Sequence, residues 1–142
     1  MAEARFEKVT TSDNALYGPS KLLLCGFPAG AQSKFETVLG MAGLRTVPKV
    51  WITNGQEASL LSALFELPDG SGEGVSSRLP RAIIVAGITE KQLIRLMTVC
   101  RKAGMQQALW ATLTPTSEKW TLEALLAELS AERRAFQKKK KK

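Results

Sequence analysis

Two short, unbroken apolar runs set the rhythm of this chain: LLLCGF, Leu22 to Phe27, and AIIVAG, Ala82 to Gly87. Runs of this length without polar interruption suit central strands covered on both faces. A helical stripe follows each. Phe35, Val38, Leu39 and Ala42 fall at i, i+3, i+4 and i+7, and Leu93, Leu96, Met97 and Cys100 repeat that spacing. Gly43 and Gly104 then stand where a helix C-terminus favours glycine. Further strands are expected around KVWIT and ALWATLT. Second helices are expected to carry Leu61, Leu64 and Phe65, then Leu122, Leu125, Leu126 and Leu129.

The pattern therefore reads strand, helix, strand, helix, twice over. KLLLCGF resembles RAIIVAG, MAGL (Met41–Leu44) matches KAGM (Lys102–Met105), and LSALF (Leu61–Phe65) matches LEALL (Leu122–Leu126). The last two matches share an offset of 61 residues. The expected organisation is an N-terminal extension, 1–20; one α/β domain, 21–136; and a basic tail, 137–142. The domain comprises two weakly similar halves, 21–67 and 81–136, joined by the Gly-, Ser- and Pro-rich stretch 68–80, read as a flexible connection. Neither half is large enough to bury a dependable core alone. Both should share one mainly parallel or mixed four-stranded sheet, in a three-layer α/β/α sandwich. A two-layer ferredoxin-like α+β arrangement is the alternative.

Local signals fix two helix starts. Thr89 and Gln92 have the spacing of a capping box, with Ile88 and Leu93 as its hydrophobic staple. Thr121 is a good N-cap for LEALLAEL. Trp120 and Leu125 then occupy the two staple positions. Trp120 is thus read as pinning a helix entrance, with a partner surface as the alternative role. The stretch TPTSEKWTLEALLAEL, Thr114 to Leu129, resembles the closing signature of domain-of-unknown-function family 3783, in which a Thr-Pro-Thr-Asn-like turn leads through Trp-Thr-Leu into an acidic, leucine-rich helix. Ser117 stands in the asparagine position. KLLLCGF is similar to that family's opening strand. The resemblance is strongest in the second half and implies a bacterial cytoplasmic protein; it brings no activity, ligand or catalytic residue.

Charge changes the picture less than it first suggests. The 142 residues carry a formal charge of +7, from 20 Lys and Arg against 13 Asp and Glu. Five of the basic residues are the terminal Lys138, Lys139, Lys140, Lys141 and Lys142; the remaining 15 leave only about +2 on the body. With Arg133 and Arg134 these lysines form a basic patch able to contact phosphates weakly. No apolar run approaches the roughly 20 residues of a membrane span, and the first 20 residues hold no signal-like apolar segment. A cytoplasmic location without membrane insertion is expected.

The chain has no histidine. That excludes Ser-His-Asp and Cys-His arrangements and removes the commonest metal ligand. Cys25 and Cys100 match no zinc spacing and are read as reduced core residues. GFPAG, Gly26 to Gly30, follows a strand and opens a helix, but it is neither a dinucleotide fingerprint nor a Walker loop. It reads as a tight turn. No catalytic residue, metal or cofactor is assigned. In a parallel sheet one edge would gather Gly26, Phe27, Pro28, Thr53, Asn54, Thr89, Thr114, Thr116 and Ser117, the usual ligand position in open α/β sheets. The first reading of function is a non-enzymatic protein-interaction or regulatory module, with self-association or an unknown protein partner. The alternatives are an accessory nucleic-acid binder using the basic C-terminus, and an anion- or nucleotide-binding protein at that strand edge.

Overall fold

A computed structural model describes residues 14–105 and 107–140. Among them the order is β1 (Lys21–Cys25), α1 (Ala29–Met41), β2 (Lys49–Trp51), α2 (Leu61–Phe65), β3 (Ala82–Ala86), α3 (Glu90–Lys102), β4 (Leu109–Thr112), a 3-10 turn (Ser117–Lys119) and α4 (Leu122–Lys140). The strands form one sheet in the order β2-β1-β3-β4. β1 runs parallel to β2, and β3 runs parallel to β4. The central pair, β1 and β3, is antiparallel, with Leu23 opposite Ile84. The sheet is thus mixed.

Alternation along the strands divides the core into two layers. Leu22, Leu24, Trp51, Ile83 and Val85 face one way and meet Phe35 and Leu39 of α1 and Leu96 and Cys100 of α3. Leu23, Cys25, Val50, Ile52 and Ile84 face the other way and meet Leu61 and Leu64 of α2 and Leu122, Leu125 and Leu126 of α4. Helices on both faces make this the three-layer sandwich and rule out the two-layer alternative. The second face has room for two helices because α2 is only five residues long. Each fully buried Leu or Ile in this sheet contributes about 1.5–3 kcal/mol relative to exposure.

β1 and β3 start 61 residues apart, as do α1 and α3, and α2 and α4. Gly26 and Gly87, both at positive φ, end β1 and β3 at that same offset, one residue out of step with the match of KLLLCGF to RAIIVAG. α1 and α3 close alike: Leu44 N–H donates to Leu39 C=O and Gly43 N–H to Gly40 C=O, as Met105 does to Cys100 and Gly104 to Arg101. This is the two-bond glycine cap that satisfies a helix's last carbonyls. The capping box at α3 is present in both directions between Thr89 and Gln92. Thr121 Oγ1 accepts from Ala124 N–H at the start of α4.

The connection 68–80 was expected to be flexible, but its backbone is tied along its length. Gly70 N–H donates to Lys49 C=O, and Trp51 N–H donates to Ser71 C=O. The carboxylate of Asp69 accepts from Lys49 N–H. The buried Gln32 side chain accepts from Gly74 N–H and donates to Val75 C=O. Asn54 Oδ1 accepts from Arg78 N–H. A Gly/Ser/Pro-rich composition lowers the cost of an irregular path; it does not prevent neighbours from fixing that path. Residues 14–20 are also docked, through Leu16 N–H to Ile88 C=O, Gly87 N–H to Tyr17 C=O and the Tyr17 hydroxyl to Glu118.

Cys25 and Cys100 lie on opposite faces of the sheet, so they do not bridge. Burial pushes the Cys25 thiol up to about 12 and the Cys100 thiol up to about 11. Both hold their protons in the folded state while unfolded thiols titrate near 8.5. Unfolding therefore releases protons above about pH 9, and the thiols' contribution to stability falls as pH rises from there towards 12. Neither cysteine should react with a thiol reagent at pH 8 until the chain unfolds; Cys25→Ala should lessen the alkaline loss of stability measured by urea titration.

Gly26 has φ +78°, and a methyl group there would run into the carbonyl oxygens of Leu79 and Pro80. Gly43 has nearly the same φ, +79°, but open space around it. Gly43→Ala should therefore show only the backbone penalty, about 1–2 kcal/mol. Gly26→Ala should cost clearly more, because two backbone carbonyls must also move. Urea unfolding of the two variants checks the order; equal losses would mean that the close approach at Gly26 is relieved without cost.

Candidate interaction edge and basic cleft

The antiparallel junction of β1 and β3 breaks up the expected ligand edge. The strands of the first half end at one side of the sheet and those of the second half at the other. Gly26, Phe27, Pro28, Thr53 and Asn54 therefore lie at one end, and Thr89, Thr114, Thr116 and Ser117 at the opposite end. A single edge was expected for a parallel sheet; in the mixed sheet the antiparallel pairing of β1 with β3 divides that set in two.

Most polar groups of both sets have structural partners. Thr53 donates its N–H and hydroxyl to Gln56 Oε1. Thr114 donates its N–H and hydroxyl to Ser117 Oγ, while Ser117 N–H donates to Thr114 Oγ1. These two turns sit 61 residues apart and use the same device, so the serine supplies the acceptor that the related turn takes from a side-chain amide. Thr116 C=O accepts from Lys119 N–H, and Thr89 caps α3. Asn54 holds the connection. Phe27 is buried in a cluster with Phe35 and Trp51, at ring-centroid distances of 4.8 and 5.5 Å.

The unsatisfied backbone lies elsewhere, at the lateral edges of the sheet. On β2 the outward-facing residues are Lys49 and Trp51. The connection seals that edge through Asp69, Gly70 and Ser71. On β4 the N–H and C=O groups of Leu109 and Ala111 face β3, as the bonds from Leu109 N–H to Arg81 C=O and from Leu113 N–H to Val85 C=O require. Trp110 and Thr112 face outward. Among the described residues, nothing bonds their outward N–H and C=O groups. The sequence LWAT gives this edge no proline and no charge, the usual means of blunting a free strand.

Next to the N-terminal end of β4 is a cleft of about 220 Å³, lined by Pro80, Arg81, Gln107, Leu109, Ser130, Arg133 and Arg134. Arg81 lies over the Phe27 ring, 4.2 Å from its centroid, and its Nε donates to Gly26 C=O at 2.9 Å. Burial lowers its pKa from the ordinary value, yet a guanidinium remains charged at neutral pH. Arg133 donates to the carbonyls of Gln107 and Ala108. Arg134 is exposed. Among the described residues no carboxylate lines the cleft. It is thus a concentration of positive charge with N–H donors left over, and Leu109 joins it to β4.

Arg133 and Arg134 were expected in a basic patch, and the structure adds Arg81 to them. The backbone of α4 continues as helix through Lys140, so Lys138, Lys139 and Lys140 follow the arginines on one element. Lys141 and Lys142 lie outside the described residues. Sequence reasoning missed Arg81, Trp110 and Thr112. No local signal marks a strand as an edge, although the absence of charge in LWAT was visible.

Trp120 is half-buried and packs against the second core layer, to which Leu125 belongs. Its C=O accepts from Leu61 N–H, and Leu60 and Thr121 form an isolated bridge. This residue therefore ties the starts of α2 and α4 together. Among the described residues no three His, Cys, Asp or Glu side chains are grouped to hold a metal ion, and no helix is long and apolar enough to cross a membrane. Trp120→Ala should lower stability by about 1–3 kcal/mol through lost burial and a lost staple, and Trp120→Leu should recover part of it; thermal or urea unfolding checks both.

No curated protein and no solved structure matches the chain. Residues 81–136, the half that supplies β3, β4 and the arginines of the cleft, match the family model described as domain of unknown function DUF3783.

Proposed function

We propose that the chain is a non-enzymatic protein-interaction module that accepts an extended segment of a partner on the free edge of β4. The observation that carries this reading is the difference between the two edges. β2 is sealed by three hydrogen bonds to the connection, while the outward N–H and C=O groups of Trp110 and Thr112 have no partner among the described residues. Strand addition supplies main-chain hydrogen bonds to such an edge, each with a net worth of about 0.5–1.5 kcal/mol.

The chemical inventory supports binding over catalysis. The chain lacks histidine, both thiols are buried and protonated, and the hydroxyls of Thr53, Thr89, Thr114 and Ser117 are committed to turns and caps. A partner bound through backbone groups would need no reactive side chain here.

Thr112→Pro tests the reading directly. The Thr112 N–H faces away from β3, so proline removes a docking donor without removing a ladder bond. The variant should keep its far-ultraviolet spectrum and unfold within about 1 kcal/mol of wild type. Screened against a displayed library of random 12-residue peptides, wild type should retain peptides that the proline variant does not. Those peptides should protect the Trp110 and Thr112 amides from hydrogen exchange. Retained peptides that bind both chains equally, or no retained peptides, would refute strand addition.

A further inference from the structure

We infer that the segment taken by β4 is acidic at one end, and that its carboxylates seat in the cleft formed by Arg81, Arg133 and Arg134. This rests on the strand-addition reading and adds the chemistry of the partner. Leu109 is both the first residue of β4 and part of the cleft wall. A strand laid along Trp110 and Thr112 therefore runs at one end towards the cleft that Arg81, Arg133 and Arg134 line. Carboxylates are matched well by guanidinium forks, because two N–H donors can meet two oxygens.

The arginines are held in different ways, which makes the cleft a built feature rather than a chance crowding of long side chains. Arg81 is fixed by Gly26 C=O and the Phe27 ring. Arg133 is fixed by two carbonyls at the start of β4. Each anchored guanidinium spends only part of its five donors on these contacts. Arg134 is exposed and offers the most mobile charge. An anion arriving here meets preplaced donors and loses little side-chain freedom in forming its bonds.

Charge also decides between occupants. Two copies joined β4 to β4 would bring together chains that are each net basic, about +2 for the body and +7 with the terminal lysines, with no carboxylate among the described residues that line either cleft. A nucleic acid would satisfy the arginines but cannot use the N–H and C=O row of β4 as a ladder. The buried Phe27, Phe35 and Trp51 rings are not available for base stacking. An acidic extended peptide uses both features at once.

The test sequences the 12-residue peptides retained by wild type and lost by Thr112→Pro. They should carry Asp or Glu clustered at one end beside a run favourable to strand formation. Synthetic versions should bind Arg134→Glu at least tenfold more weakly than wild type, and more weakly as salt rises. Replacing their Asp and Glu with Asn and Gln should weaken wild-type binding and remove most of the difference between the two chains. Arg134 is the residue to change because Arg81 and Arg133 also hold the fold.

Edge-dependent peptides without acidic bias, or with equal affinity for Arg134→Glu, would overturn the acidic-end inference and leave strand addition standing. The absence of any edge-dependent peptide would overturn both. A 12-nucleotide single strand or a short duplex that displaces the peptides and binds more tightly at 150 mM salt would assign the cleft to nucleic acid instead. Concentration-dependent dimerisation abolished by Thr112→Pro would assign the edge to a second copy. Protection of the Trp110 and Thr112 amides in the free chain, relieved by removing residues 1–13, would assign it to the chain's own beginning.

Discussion

The antiparallel pairing of β1 with β3 is the contact on which the rest of the architecture depends. Five residue pairs, from Lys21 with Ala86 to Cys25 with Ala82, join two units that each supply only two strands. Nearly every side chain on these two strands is buried, so the junction is also the middle of both core layers. Separating the halves would expose both layers and leave two small sheets. The same pairing reverses the second unit relative to the first. That reversal sends the strand ends of the two halves to opposite sides and prevents a single ligand-binding crest.

It also explains the asymmetry of the edges. The connection must bring the chain from the end of α2 back to the start of β3. On the way it passes the outer side of β2 and bonds to it at Lys49 and Trp51. Gln32, Asn54 and Phe27 C=O then hold the rest of the path through Gly74, Val75, Ser77 and Arg78. In the second half the chain does not turn back. α4 continues for 19 residues, returning past the start of β4 and placing Arg133 on the carbonyls there. Two units of similar pattern thus acquire different edges, one closed by the chain between them and one bounded by a long basic helix.

The polar residues that attracted attention in the sequence mostly serve the fold. Thr114 and Ser117 form one turn, and Thr53 and Gln56 form its counterpart. Trp120 couples two helix starts. The residues of greatest interest for recognition were quieter. In the proposed docking Trp110 and Thr112 act through backbone groups that every residue type except proline possesses, and Arg81 acts because its neighbours in space, though not in sequence, are Phe27, Arg133 and Arg134.

The chain's own pattern determined the elements and their faces. Apolar runs dictated buried strands, the i, i+3, i+4 stripes marked the covered side of α1 and, apart from Met97, that of α3, and Thr89, Thr121, Gly43 and Gly104 dictated helix limits. These are short-range properties: propensity, periodicity and caps act within a few residues. Strand order, strand direction and edge exposure were decided only in three dimensions. Apolar strands such as LLLC and AIIV bury equally well beside a parallel or an antiparallel neighbour, so their residue types do not select between the two. Closing the core fixed that choice, and with it which backbone donors were sealed and which were left facing outward.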